Sequence, residues 1–180
     1  MAHATYPLKC MLTPNVRGNA GCYRAFSIDA PKGSILNCDK PLAVNLRTRT
    51  GWYLAPNIFR ALSQAAPKQV QAFTGLPVAA SVYGRDAAGD TYSDMLFCGG
   101  GQGGSAQGDG KSGLLYPTSA ANTSIETFES RVPVLVVEKT YLTDSGGAGQ
   151  HRGGLGQRVR LRKLSDDGLP TLVSLYPEGV

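Results

Sequence analysis

The chain has little from which to build a metal or redox centre. Its four cysteines, Cys10, Cys22, Cys38 and Cys98, form no C-x-x-C pair, and its only histidines are His3 and His151. That excludes a zinc ribbon and a thioredoxin-like motif, and it leaves no His/Cys/carboxylate cluster with metal-ligand spacing. Isolated thiols suit a reducing, cytoplasmic setting. No apolar run approaches the roughly 18 residues of a membrane-spanning helix. The first residues, Met1 to Cys10, also lack the charged-then-apolar pattern of a secretory signal. Charged residues make up only 17%, with a net charge of +5 from 18 basic and 13 acidic side chains. A nucleic-acid platform needs a concentrated basic face interleaved with aromatics, and the chain carries neither. Neither a membrane nor a nucleic acid is expected as a partner.

What is abundant is glycine, with 23 of 180 residues, against a usual share of about 7%. Hydrophobic residues reach 42%, enough for a core, so wholesale disorder is excluded. So much glycine, with 11 prolines, argues against a helix bundle and for turns and short strands. The length suits a single domain, residues 1–180. Its two ends, a Pro14-Asn15 turn reached early and a Pro177-Glu178-Gly179-Val180 finish after an apolar segment, lead us to expect a piece of a larger subunit.

Residues 44–66 carry the best helical pattern, with Leu46, Leu54, Ile58, Ala61, Leu62 and Ala65 able to share a face. Pro56 should divide it into two pieces, since proline cannot donate within a helix interior. His3 is expected in a tail. Strands are expected at 23–28, 34–36, 79–83, 91–98, 125–128, 133–142, 157–164 and 171–176. Pro31-Lys32-Gly33 marks a turn, and 85–90, with Gly89, should close a hairpin between 79–83 and 91–98. Along 157–164, Arg158, Arg160 and Arg162 fall on one face and Val159 and Leu161 on the other. The result is an α+β fold, predominantly antiparallel β, with one early helical region and two glycine-rich loops.

Those loops hold the candidate chemistry. Gly99–Gly113 has eight glycines in fifteen residues and contains Gly108-Asp109-Gly110-Lys111-Ser112. A P-loop would need glycine where Ser105 stands, and it would open a helix; Gly113 and Pro117 follow instead. A tight turn is the plainer reading, although glycine also lets backbone amides approach an anion. Asp144–Gly156 has six glycines in thirteen residues and brackets His151-Arg152. Histidine can serve as a general base or ligand, and arginine can clamp a carboxylate or phosphate. A solvated loop is the competing reading, with Arg152 paired to Asp144. Glu126 and Glu129 would share a helix face, yet an ion pair or cap near Arg131 accounts for them equally. The row Arg158/Arg160/Arg162 could meet phosphate or an acidic partner, or simply be the charged side of an edge strand. Asn122-Thr123-Ser124 fits a glycosylation sequon, which has no meaning without secretion.

Five segments in order resemble the hydantoinase B/oxoprolinase family. They are Asn19-Ala20-Gly21-Cys22-Tyr23-Arg24 with Ile28; Ala30-Pro31-Lys32-Gly33-Ser34-Ile35-Leu36-Asn37 with Pro41-Leu42-Ala43-Val44; Gly99-Gly100-Gly101 with Asp109-Gly110; Asn122-Thr123-Ser124-Ile125-Glu126 with Glu129 and Pro133; and Asp144-Ser145-Gly146-Gly147-Ala148-Gly149 with Arg152-Gly153-Gly154-Leu155-Gly156. The last is the most specific. The likeness covers most of this chain and only the C-terminal part of a typical, several times longer member.

The resemblance implies an ATP-dependent machine. An A-type subunit phosphorylates the substrate to an imidate or enol phosphate, and the B-type subunit completes the reaction. In hydantoinases and oxoprolinases that is hydrolytic opening of a cyclic amide; in the similar acetone and acetophenone carboxylases it is C–C bond formation. The chain is thus expected to be part of the B-type subunit of a cyclic-amide hydrolase, inactive in isolation. The alternatives are a fragment of a ketone carboxylase and a non-catalytic structural module. The family's metal-binding His and Asp residues lie in an N-terminal half that this chain lacks. ATP and a divalent metal are therefore expected in partner chains or in that half, and none in this chain. The expected partners are an ATP-binding A-type subunit and the N-terminal B-type half or another large subunit, in a hetero-oligomer. The polar, glycine-bracketed Asp109, His151 and Arg152 are the catalytic candidates, and Asn19 and Arg24, in the first matching segment, the substrate-binding ones. Two departures stand out: the family position of His151 varies, and Ala25 follows Arg24 where proline is common.

Overall fold

The structure, a computed structural model, describes residues 2–44, 47–75, 77–118, 120–164 and 168–175. The chain divides into two compact units, Met1–Phe73 with Ser105–Gln107, and Thr74–Gly104 with Gly108–Val180.

The first unit is helical. Helix α1 (Ala2–Leu12) buries Ala4, Pro7 and Met11, which share a face, against α4 (Leu54–Leu62), whose Ala55 and Phe59 are one turn apart. Phe59 is 6% exposed and Met11 3%. His3 is therefore in a helix and not in a tail. Its ring packs against Gly51 of α3 (Arg47–Trp52), where a Cβ would overlap the imidazole. The helical stretch does split in two, but at Tyr53 and not at Pro56. Pro56 occupies the first turn of α4, where backbone N–H groups have no intrahelical partner, so a missing donor is tolerated. Leu46, assigned to that helical face from the sequence, lies outside the described residues.

The strands expected at 23–28 and 34–36 do not form. Asn19 caps the short helix α2 (Ala20–Tyr23), its Oδ1 accepting the Cys22 N–H at 3.1 Å. The helix ends at Tyr23, and the Phe26 N–H then closes a turn onto the Tyr23 carbonyl at 3.1 Å within the stretch where alternation suggested a strand. Residues 34–37 make a tight turn, with an isolated bridge between Ser34 and Asn37. The segment Ser105–Gln107 belongs to this unit through the bridge Gln71–Ser105 and a 2.7 Å bond from Gln107 Nε2 to the Lys68 carbonyl.

The second unit is built from antiparallel sheets. Strands β1 (Val78–Arg85) and β2 (Thr91–Cys98) form the expected hairpin. Its turn is closed by Asp86, whose Oδ1 accepts the N–H groups of Ala88 and Asp90, with Gly89 at φ 88°. This Asx-type arrangement explains the Asp-x-x-Gly sequence. Strand β5 (Thr171–Leu175) pairs with the other edge of β1, giving the order β2-β1-β5. Tyr176, placed in this strand from the sequence, lies outside the described residues. Strands β3 (Val134–Tyr141) and β4 (Gln157–Lys163) make a second, two-stranded sheet.

Ala80, Val82, Leu96, Phe128, Val132 and Val134 form the core, with Val82, Leu96 and Phe128 fully buried. Val159 and Leu161 pack against it, while Arg158, Arg160 and Arg162 face outward. Arg158 and Arg160 both reach Glu138, at 4.0 and 3.5 Å.

The segment 125–128 is a helix, α5 (Ile125–Glu129), and not a strand. Ser124 caps it by accepting the Thr127 N–H at 3.1 Å, and Glu126 stands in its first turn, where the helix dipole favours an anion. The cap and acid together outweigh the β-like run Ile125 to Phe128. Glu129 is fixed differently from either sequence reading. Its Oε1 accepts the Val136 N–H at 2.6 Å beside a bulge in the β3–β4 pairing. Arg131 pairs instead with Asp94, at 3.4 Å.

Candidate functional site

In the second unit the two glycine-rich segments are laid against each other, backbone to backbone. The Gly110 N–H donates to Arg152 O at 2.8 Å, Gly113 N–H to Leu155 O at 3.0 Å and Gly154 N–H to Gln102 O at 2.8 Å. Within the first segment Gln102 N–H donates to Lys111 O at 2.9 Å, and within the second Gly153 N–H donates to Gly147 O at 2.9 Å. Side chains complete the lattice: Ser112 Oγ accepts the Leu155 N–H and Ser145 Oγ accepts the Gly156 N–H, both at 2.9 Å. Glycine is needed because nothing wider fits. A Cβ at Gly110 would run into the Gln102 carbonyl, and one at Gly154 into the Lys111 carbonyl.

This lattice decides what the loops can bind through their backbone. The N–H groups of Gly99, Gln102, Gly103, Gly110, Lys111 and Gly113 all donate to protein oxygens, so these amides offer no nest for an anion. Ser112 and Gly113 lie in a turn, and no helix opens after Lys111.

The lattice gathers three of the five candidate residues. Asp109 Oδ1 accepts the Arg152 main-chain N–H at 2.9 Å and lies 3.5 Å from His151 Nδ1. Arg152 Nη2 donates to Asp144 Oδ1 at 3.4 Å. Asp144 opens the loop at φ 57°, the left-handed region that aspartate tolerates better than most residues. His151 is about one-third exposed, while the Asp109, Arg152 and Asp144 side chains are largely in solvent. A neutral imidazole at this position offers one ring nitrogen as a general base. The Arg152 guanidinium keeps donors beyond those facing Asp144. Both pairs are exposed, so as ion pairs they contribute little to stability. The backbone lattice, and not these pairs, holds the side chains in place.

Asn19 and Arg24 lie in the first unit. Asn19 is spent on its helix cap, and the Arg24 main-chain N–H caps the end of the same helix while its side chain is exposed. Gln102, Ser112 and Ser145, which brace the site, were not signalled by the sequence, because their partners are distant glycine-rich backbone with no pattern of its own. Among the described residues no three His, Cys, Asp or Glu side chains gather as a metal site, and no helix is long and apolar enough to cross a membrane. All four cysteines are free thiols.

Comparison with known proteins matches this arrangement to a family. The model of the family described as Hydantoinase B/oxoprolinase matches residues 1–177. The chain is 36% identical over 155 residues to the caprolactamase subunit beta of Pseudomonas jessenii, covering 81% of this chain and 27% of that protein. It is 32% identical over 155 residues to a 5-oxoprolinase of Pestalotiopsis fici, covering 84% of this chain and 12% of that one. A nucleotide-free structure of acetone carboxylase shares the fold, with a TM-score of 0.69 at 20% identity over 88% of this chain and 22% of the other. The chain thus spans about a quarter of the length of the caprolactamase subunit it matches. On the match over residues 1–177, the chain belongs to the hydantoinase B/oxoprolinase family.

Proposed function

We propose that the chain is part of the B-type subunit of an ATP-dependent hydrolase that opens a cyclic amide. The observation that carries this reading is the 36% identity to a caprolactamase subunit beta across 81% of the chain. The likeness to acetone carboxylase, at 20% identity, supports the fold alone.

In this reading the interlocked glycine segments form a rigid platform beside the reaction site. His151, beside Asp109, handles a proton of the attacking water or the leaving nitrogen. Arg152, beside Asp144, donates hydrogen bonds to substrate or to its phosphoryl group. A rigid support suits such positioning, because small displacements of a catalytic group are costly. Asn19 and Arg24 remain substrate-contact candidates, with Arg24 the better one, since the Asn19 oxygen is occupied by its cap.

ATP and a divalent metal belong, in this reading, to parts of the machine outside this chain. Six amides of the first loop are bonded within the protein and no three-ligand cluster is found among the described residues, which supports that placement. We assign both groups to an A-type ATP-binding subunit or to the N-terminal B-type half, in a hetero-oligomer whose beta-subunit counterpart is named in the caprolactamase relative.

The test is reconstitution of the B-type subunit with an A-type subunit. ATP-dependent opening of caprolactam, 5-oxoproline or hydantoin is expected. ATP-dependent carboxylation of acetone without amide opening would establish the carboxylase reading instead. An active complex indifferent to substitution of Asp109, His151 and Arg152 would reduce this chain to a structural module.

A further inference from the structure

We propose that the turn Ser34–Asn37 is a docking knob whose Ile35 and Leu36 side chains enter an apolar pocket on the remaining part of the B-type subunit. The proposal rests on the reading that the chain is part of such a subunit. Asn37 N–H donates to Ser34 O at 3.0 Å, which places Ile35 and Leu36 at the two central positions of a β-turn. Those positions ordinarily hold Gly, Pro, Asn, Asp or Ser. Here both are large aliphatic residues, 82% and 52% exposed, and Ile35 is the most exposed large hydrophobic residue among those described. Scattered apolar side chains on a surface need no explanation. Two adjacent ones at the tip of a tightly bonded turn do.

The turn is built to hold its shape. Gly33 N–H donates to Asn37 O at 2.8 Å and Ser34 N–H to Pro31 O at 3.1 Å. Asn37 Nδ2 donates to Ala30 O at 2.9 Å, and Lys32 pairs with Asp39 at 3.8 Å. Gly33, at φ 78°, supplies the left-handed residue of the preceding turn, Pro31–Ser34, which leads into it. A knob fixed in advance loses little conformational freedom when it docks. The surrounding chain is equally open: no described residue from Leu12 to Val44 is buried, and Leu42 and Val44 are each 62% exposed.

Two observations select the occupant. The aligned region is 27% of the caprolactamase subunit and 12% of the 5-oxoprolinase, so most of each relative lies outside it. Two side chains are also far too small a contact to hold an independent chain, since stable interfaces bury about 1,200–2,000 Å². A segment of the same subunit meets the turn at high effective concentration and needs no such area.

The test is cysteine accessibility in the assembled B-type subunit, read by peptide mass spectrometry after maleimide treatment. Ile35→Cys and Leu36→Cys should label at least about tenfold more slowly than the same cysteines in urea, because labelling then requires local opening. This protection should not depend on protein concentration or on the A-type subunit. Labelling at a rate comparable to that in urea overturns the proposal. Protection that grows with concentration assigns the knob to a second copy, and protection that needs the A-type subunit assigns it there; either overturns it too. As a second measurement, Ile35→Asp with Leu36→Asp should lower the Tm of the assembled subunit by several degrees, while Ile35→Val with Leu36→Met leaves it in place. An unchanged Tm in the charged variant also counts against the knob. Both readouts work without ATP or substrate, so their outcome is separate from that of the hydrolase assay.

Discussion

His151 Nδ1 stands 3.5 Å from Asp109 Oδ1, the oxygen that also accepts the Arg152 main-chain N–H at 2.9 Å. One carboxylate thereby ties two consecutive residues of the second glycine segment to the middle of the first. The relationship is between segments far apart in sequence, and it depends on backbones approaching more closely than any side chain at Gly110 or Gly154 would allow.

In the reconstituted complex, Arg152→Ala should lower turnover more than about tenfold, equivalent to about 1.4 kcal/mol, with assembly intact. Asp144→Asn should leave the Tm nearly unchanged, because both side chains of that pair are well exposed. Steady-state kinetics beside a thermal melt separates the two roles. Retained turnover with a lowered Tm in Arg152→Ala would make the loop structural.

Gly110→Ala and Gly154→Ala should each destabilise the fold by about 3 kcal/mol or more, since the added Cβ meets fixed carbonyl oxygens that cannot move without breaking the lattice. Gly147→Ala is the control. Nothing lies within 4 Å of its Cβ position, so it should stay within about 0.5 kcal/mol of the parent. Urea denaturation of the three variants checks the contrast, and equal effects would contradict the close-packed lattice.

Burial pushes the Cys98 thiol above its ordinary range, against the smaller opposing effect of Lys139. The folded state therefore holds this proton after the unfolded chain has released it. The associated stability is complete below the unfolded thiol value, about 8.5, and is lost as pH rises through the folded one. The Tm of the parent should fall more steeply above about pH 8.5 than that of Cys98→Val. Iodoacetamide should also alkylate Cys98 more slowly than the exposed Cys10. Parallel pH profiles for the two proteins would contradict this.

Lys111→Ala should leave nucleotide affinity of the assembled complex unchanged. The Lys111 main chain is bound to Gln102 through both its N–H and its carbonyl, and no helix follows it. Titration with ATP checks this, and a loss of about tenfold or more would reinstate a P-loop role.

The sequence by itself determined where the five strands that do form lie, and the faces of β4. Alternation alone places Arg158, Arg160 and Arg162 outward and Val159 and Leu161 inward on β4, because successive side chains of a strand point to opposite sides. Asp86 and Gly89 announce the β1–β2 turn in the same direct way. The ordered motifs from Asn19 to Gly156 carried the family, and the glycines bracketing Asp109, His151 and Arg152 drew attention to them. In α5, Ser124 followed by Glu126 is a start signal that outweighs the β-like Ile125, Thr127 and Phe128. The turn at 34–37 was hidden by its aliphatic residues. What only the tertiary structure decided is the meeting of the two glycine segments. A glycine has no side chain and imposes no period on the sequence, so nothing local records which carbonyl its backbone will touch. The pairing of Asp109 with His151 and Arg152 is set by hydrogen bonds such as Gly110 to Arg152 and Gly154 to Gln102, which exist only once the chain has folded.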